Sequence, residues 1–587
     1  MKSTPRAMTS GYATAELAAR WEEMLGDPDD DAQVFSYARC LELDDREEFP
    51  EQICAELDRL GLASFYVPDE FGGSLRGFDD AAALIRVVAR RDLTVAIAHA
   101  KTFLGAAPVW VSHRSDQSAA VARSIMLGER LALALTEADH GSDLLSTETL
   151  LSTVGAQFIL TGTKWMINNA TRAEVITVLA RTDIQPGVPN LSLVLVDKRE
   201  LVREAYQCLP KIRLHGIRGA DISGIAFHDA IVGRDRIVGS FGRGVDAVLR
   251  AFQLTRTACA ALSLGAADQA IDLAWRFCRD REMYGARLID IPLTRRTLGI
   301  GLARRFVAEA VVTLSCRAAN TLTAEMSVVS AVVKSLVPTL VDELIGEMGE
   351  LLGARAFLLN VFAGGRFQKV ERDHRIVSIF DGSVAVNQNY LVNQFPRLGR
   401  GFEQGRVDAD GLANAADLSV RLPPLDYRRL TLLSRAGCSV TQSLPDLVRN
   451  VRALREDGVV EPVLVSLAEI VARETARLHE ELRHWRVTTS ELPAQAFDLA
   501  RRYEWCYAGA ACLAMWIHNR ARVVSDADAF LWQDGSWMVA ALTLVVDRLT
   551  GTASNPAVFE QLVDKVSAAN RNATVSIIPT RLDGAAD

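Results

Sequence analysis

The sequence predicts a mainly helical α+β protein of several domains, and three observations predict it. The chain has 587 residues, 49% of them hydrophobic, more apolar material than one core usually holds. Stretches with helical apolar spacing dominate residues 1–130 and the chain after Val245. Between them lies one region of short apolar runs bounded by Gly, Asn, Asp or Pro, which is strand punctuation.

In chain order, Asp27–Asp31 is an acidic turn, and Glu47–Leu62 places Ile53, Leu57 and Leu60 at helical spacing. Val67–Gly73 has loop composition, and Asp79–Ala106 is predicted as helix. Leu131–Leu135, Phe158–Leu160, Val175–Leu179, Leu191–Val196 and Ala226–Val232 are predicted strands. Gly239–Gly244 is a glycine-rich turn, followed by long helices to about residue 360. Residues 401–425, with Gly401, Gly405, Gly411, Pro423 and Pro424, are expected to form a linker or seam before a last helical block. The expected domains are 1–130 (helical), 131–240 (β), 241–400 (helical bundle) and 401–587 (additional helical). This order is not the βαβ alternation of a dinucleotide-binding sheet.

Composition narrows the function. Lys plus Arg is 65 and Asp plus Glu is 73, so a net charge of −8 leaves no global basic excess for nucleic acid. A local basic patch can still lie under that average. The nine cysteines are scattered, without a close Cys-x-x-Cys pair, which argues against a disulfide framework and a cysteine-based zinc site. Met1–Gly11 has no apolar signal core, and apolar runs such as Trp537–Val546 are too short to span a bilayer. The expectation is a cytoplasmic protein with no metal, no nucleic-acid partner and no transmembrane segment.

Four segments could carry chemistry. Leu133–Asp143 ends a strand in Thr136-Glu137 and Gly141-Ser142-Asp143, a loop of hydroxyls and N–H groups that is also ordinary turn chemistry. Gly162–Ala170 carries Lys164, Trp165, Met166, Asn168 and Asn169 on a strand edge, or a half-buried strand entering an Asn turn. Arg281, Tyr284 and Gly285 could clamp a phosphate, or simply close a helix C-terminus. In Arg372–Ile376 and Ile379–Ser383, Asp381 sits among apolar residues, where burial should raise its pKa towards that of a useful base; a helix-capping Asp is the plainer alternative.

Together, in this order, these segments resemble the acyl-CoA dehydrogenase family. Its T-E-x-x-x-G-S-D, K-x-W-I-T-N-A, R-x-x-F-G and R-D-x-R-I-x-x-I-Y-E-G-T patterns are similar to the four segments, and the likeness spans about residues 45–400. The resemblance implies a helical domain, a β-barrel domain and a helical bundle. It implies FAD held in extended form, reaching a neighbouring subunit of a homodimer or homotetramer. Leu135, Thr136 and Ser142 would face the flavin, with Met166 and Asn168 beside it. Arg281, Tyr284, Glu350 and Gly353 would meet the pyrophosphate–adenosine half, and Ser383 would touch FAD near the base. Arg256 and Gly382 would lie on the substrate side. The implied reaction is α,β-dehydrogenation of an acyl-CoA or acyl-carrier-protein thioester, with Asp381 taking the α-proton and hydride passing to flavin N5. The electron acceptor is left open.

The sequence also departs from that pattern. The usual glutamate base is Asp381, shorter by about 1.5 Å. The alternative base position, before Arg256, is Thr255. Met166, Asn168, Glu350 and Ala354 replace other expected residues around the cofactor. These changes point to a specialised substrate of secondary metabolism, to an oxygen-using oxidase or monooxygenase, or to a non-catalytic binding or scaffold protein. Arg483–Arg486 and Arg501–Trp505 could bind a partner or lipid, or form solvated helix faces.

Overall fold

A computed structural model describes residues 12–182, 190–486, 491–521, 532, 535–553, 555–569 and 576–578. Met1–Gly11 lies outside the described residues. Six helices come first: α1 (Ala13–Leu25), α2 (Tyr37–Asp45), α3 (Glu51–Arg59), α4 (Phe78–Arg91), α5 (Leu93–Trp110) and α6 (Ser115–Met126). The predicted helix Asp79–Ala106 is therefore two. Asp92 is extended, ends α4, and caps α5 by accepting the Val95 N–H at 2.9 Å.

The strand region is β1 (Leu131–Ala134), β2 (Leu150–Val154), β3 (Gln157–Asn168), β4 (Val175–Arg181), β5 (Leu191–Asp197), β6 (Tyr206–Leu209), β7 (Ile222–Gly233) and β8 (Ile237–Val238). All five predicted strands are present; β2, β6 and β8 were not predicted because their apolar patterns are short or interrupted. The order is β6-β7-β3-β2-β4-β5-β8, with β1 added parallel to β4. The ladders leave β6 and β8 at the ends of the strand order of this central domain. The sheet curls: Ala132, Leu151, Phe158, Ile176, Val194, Ile225 and Ile237, from seven strands, share one core. The other face of β4 turns towards the helices, where Thr177 donates to the Gly105 carbonyl of α5 at 2.9 Å.

The bundle follows: α7 (Gly244–Asp280), α8 (Pro292–Thr321), α9 (Met326–Leu352), α10 (Ala354–Phe357), α11 (Arg366–His374), α12 (Val384–Val392) and α13 (Phe395–Glu403). Gly265 lets α7 meet α4 closely, since a Cβ there would stand 2.6 Å from Ala89 Cβ. The contact is locked by a buried ion cluster. Arg86 of α4 and Arg305 of α8 reach Asp268 of α7 at 2.8 and 2.7 Å, and Arg86 also reaches Glu309 at 2.5 Å.

Residues 401–425 are not a linker. They hold the end of α13 and a further helix, α14 (Ala409–Ala416). Arg317 of α8 binds the carbonyls of Asn414, Ala415, Asp417 and Val420, stitching the segment to the bundle. The remaining helices are α15 (Ser439–Gln442), α16 (Leu444–Glu456), α17 (Pro462–His484), α18 (Ala494–Asn519), α19 (Ser536–Thr550) and α20 (Ala557–Ala568). The block docks through α18, whose Glu504 accepts from Ser335 of α9 at 2.6 Å and Gln388 of α12 at 3.2 Å. Arg483, Arg501 and Arg502 are paired with Glu403, Glu480, Asp498 and Glu481, as in ordinary solvated helix faces.

Candidate active site

Asp381 is the centre of the site. It follows α11 and precedes α12 in a turn where Asp381 itself has φ 54° and Gly382 φ 96°. A non-glycine residue in that region is strained, and the surroundings hold it there. Arg256 Nε donates to the Asp381 carbonyl at 2.9 Å. Lys334 Nζ donates to Val377 and Gly382 carbonyls at 2.8 and 3.0 Å, and Asn387 donates to Gly382 at 2.9 Å. Ser383, not Asp381, caps α12, accepting from Val386 N–H at 3.4 Å.

The Asp381 carboxylate is buried. Lys101 Nζ donates to Oδ1 at 3.1 Å, and the Cys259 thiol donates to Oδ2 at 3.4 Å. Lys101 also lies 3.8 Å from the Phe380 ring centroid. Burial pushes the Asp381 carboxyl up, but the ammonium groups of Lys101 and Lys334 outweigh it, so its pKa lies below the ordinary value. The expected rise is therefore overturned: two lysines on neighbouring helices reverse the effect of apolar surroundings. Burial pushes Lys334 down to about 8 and Cys259 up to about 12, which keeps the thiol protonated as a donor.

Asp381 faces a cavity of about 20 Å³ between α5 and α7, lined by Ile97, Lys101, Leu104, Thr255, Cys259 and Leu262. Thr255 Oγ1 is buried there without a partner. Lys101, Lys334 and Cys259 were missed from sequence. The available signal was a lone lysine in each of two apolar helices, α5 and α9, where an unpaired charge is costly.

The second group lies across α5. Asn169 donates to the Ala98 carbonyl at 3.0 Å, one turn before Lys101. A bulge in the β3–β7 ladder at Trp165/Ile167 gives Met166 φ 57°. The result is two consecutive exposed side chains, Trp165 at 37% and Met166 at 43%. Thr136 Oγ1 donates to the Trp165 carbonyl at 2.6 Å, joining the first two sequence segments. Beneath them, Glu137 accepts from Lys164 at 2.8 Å and Thr149 at 2.6 Å. Burial pushes Glu137 up, but these hydrogen bonds hold it down at about 2, so this pair is a clamp. Leu135 is buried at the same corner, and Ser142 is exposed in the following loop. Asn168 Oδ1 is buried without a partner.

The third group is remote. Arg281 lies 25 residues along α7 from Arg256, about 37 Å at helical rise. Tyr284 is 95% exposed in the hairpin turn beyond it. Glu350 and Gly353, at the end of α9, are also exposed, beside Phe357 at 86% exposure. One chain therefore does not join Arg281, Tyr284, Glu350 and Gly353 to Asp381.

Arg372, Asp373 and His374 are structural. Asp373 accepts from Ile217 N–H at 2.5 Å, Lys369 at 2.6 Å and Thr94 at 3.0 Å. Arg372 reaches Asp44 at 2.6 Å, and His374 lies 2.6 Å from Asp342. They tie the helical, strand and bundle regions together behind the site.

This order of elements around a carboxylate defines an acyl-CoA dehydrogenase fold. Family models match three consecutive parts of the chain: the acyl-CoA dehydrogenase N-terminal domain over 33–129, the middle domain over 132–230 and the C-terminal domain over 242–394. The chain belongs to the acyl-CoA dehydrogenase family, whose members are FAD-dependent oxidoreductases. It is 28% identical over 345 residues to the probable acyl-CoA dehydrogenase fadE25 of Mycobacterium leprae, covering 58% of this chain and 86% of the relative. An FAD-complexed acyl-CoA dehydrogenase from Bacillus anthracis superposes with TM-score 0.65 at 17% identity, covering 98% of this chain and 94% of that one. That fold includes the block beyond residue 394, which the family models do not match. The prolyl acyl carrier protein oxidase AnaB superposes with TM-score 0.58 at 16% identity, over 65% of this chain and 97% of that one. Among the described residues no helix is long and apolar enough to cross a membrane.

The residues present fit FAD. The orphaned Asn168 oxygen needs an N–H donor, and Trp165 and Met166 offer apolar surface beside it; a flavin ring satisfies both.

Proposed function

We propose that this protein catalyses α,β-dehydrogenation of an acyl thioester, with Asp381 taking the α-proton. The observation that carries the reading is an anionic carboxylate, fixed by a strained turn, facing an apolar cavity between α5 and α7. FAD supplies the hydride acceptor, held by Leu135, Thr136, Ser142, Met166, Asn168 and Ser383 on one chain. Arg281, Tyr284, Glu350 and Gly353 serve the cofactor of a neighbouring subunit in a homo-oligomer.

The residues of the chain divide the work. Asp381 is ready to accept a proton because Lys101 and Lys334 keep it ionised. The same cations weaken it as a base, so thioester binding must loosen the Lys101 contact before transfer. Arg256 and Lys334 hold the turn, and hence the carboxylate, against recoil. Ile97, Leu104 and Leu262 exclude water. A cavity of about 20 Å³ has room for roughly one water, so the acyl group must displace these side chains or be small. The thioester carrier is CoA or an acyl carrier protein.

The test is anaerobic mixing of the flavin-loaded enzyme with a panel of short acyl thioesters on both carriers. Loss of the oxidised flavin absorbance with formation of the enoyl product supports the reading. Peroxide formed one-to-one with product in air assigns an oxidase instead. No bleaching by any thioester points to a non-catalytic role.

A further inference from the structure

We propose that Arg397, Arg400, Arg406 and Arg435 form a binding site for a phosphorylated anion. The four line one cavity of about 230 Å³, together with Gly401 and Gln404, and among the described residues no carboxylate lines it. Among the described residues none of the four has an ion-pair partner. Some exposed arginines in this part of the chain do, Arg449 with Asp446, Arg452 with Glu469 and Arg501 with Asp498, while Arg421, Arg428 and Arg429 have none among the described residues but do not line the cavity. The acid on the same helix, Glu403, is held by Arg483. On a chain of net charge −8 these four arginines, three of them exposed, make a local basic patch that draws in anions.

The helix dipole accounts for part of the pattern. Arg400 lies in the last turn of α13, where cations are favoured, whereas Arg397 lies in the first turn, where they are not. Arg406 and Arg435 come from outside that helix, and the backbone carrying Arg435 is firmly held. Ser434 N–H donates to Gln394 at 2.8 Å, Ser434 Oγ to the Gly437 carbonyl at 2.5 Å, and Cys438 N–H to Gln442 at 2.6 Å. A Cβ at Gly401 would stand 2.4 Å from the Ala436 carbonyl, so α13 and this loop touch backbone to backbone. Guanidinium forks on a fixed frame suit the several acceptor oxygens of a phosphate or pyrophosphate. A concave pocket on an acidic chain does not suit a long nucleic acid.

The same loop reaches the active centre. The Thr431 carbonyl accepts from Gln253 at 2.8 Å, two residues before Thr255 of the Asp381 cavity. The phosphate could therefore belong to the thioester carrier or to a free phosphorylated metabolite. Binding can be read without turnover, so the proposal stands or falls apart from the dehydrogenase reading.

The experiment is calorimetric titration of the full chain with inorganic pyrophosphate. Saturable binding is expected, weakening as salt rises. Arg400→Gln/Arg435→Gln should lose at least about tenfold in affinity, whereas Arg449→Gln/Arg452→Gln should bind as wild type. Arg400→Lys/Arg435→Lys, which keeps the charge but not the fork, should fall between. Displacement of pyrophosphate by CoA assigns the carrier's own phosphates, and failure to displace assigns a separate metabolite. Absence of saturable binding to wild type, or equal affinity in the Gln double variant with an unchanged melting curve, overturns the site.

Discussion

Lys101 Nζ lies 3.1 Å from Asp381 Oδ1, so the carboxylate lining the cavity between α5 and α7 is ion-paired. The two residues come from helices and turns 280 positions apart. Their pairing decides the ionisation of the site, and it sets the first expectation.

Lys101→Met should raise the Asp381 pKa, because burial then acts against one cation fewer. A base works only when deprotonated, so the acid limb of the kcat/KM profile should move to higher pH. Rates measured across the acidic range in wild type and variant check this. An unmoved acid limb would exclude Lys101 as the group that tunes Asp381.

Asp381→Asn should leave flavin binding unchanged and lower turnover by at least about 100-fold, the usual contribution of a positioned base. Visible absorption of the loaded variant separates the two effects. Turnover within a few-fold of wild type would move the base elsewhere.

Asp373→Ala should destabilise the chain by about 2–4 kcal/mol, since it strands the Ile217 N–H and one contact of Lys369 in the interior. Lys369 keeps Asp92 at 2.7 Å, which limits the loss. The urea midpoint should fall while kcat of the folded fraction stays near wild type. A large loss of kcat at full stability would give Asp373 a direct catalytic role.

Glu504 is fully buried, and burial pushes its pKa up to about 7. The folded state therefore binds a proton that the unfolded state has released. Stability should decline as pH rises from about 4.5 through 7, by up to about 3 kcal/mol from this group alone. Glu504→Gln keeps an acceptor for Ser335 and Gln388. It should raise the melting temperature at pH 8 and change it little at pH 5. Parallel melting curves at both pH values would contradict the assignment.

Much of the fold was legible in local pattern. The five predicted strands carry short runs rich in apolar residues, and Thr136, Trp165 and Asp381 stand in segments whose order alone pointed to the family. Other features were not legible, for physical reasons. The bulge that exposes Met166 depends on cross-strand register with β7, not on the residues of β3. Residues 401–425 resemble a linker because Gly and Pro break periodicity, yet Arg317 of another helix anchors them.

The sequence by itself determined the class of most elements and set an aspartate, Asp381, where the family pattern has a glutamate. Those follow from side-chain type and spacing along one chain. Only the tertiary structure decided that Asp381 is ionised below its ordinary range, and that Arg372, Asp373 and His374 are braces rather than reagents. It also brought four arginines around one cavity, none with an ion-pair partner among the described residues. Electrostatic energy depends on distance through space, and Lys101, Lys334 and Asp381 become neighbours only when α5, α9 and the turn before α12 pack together.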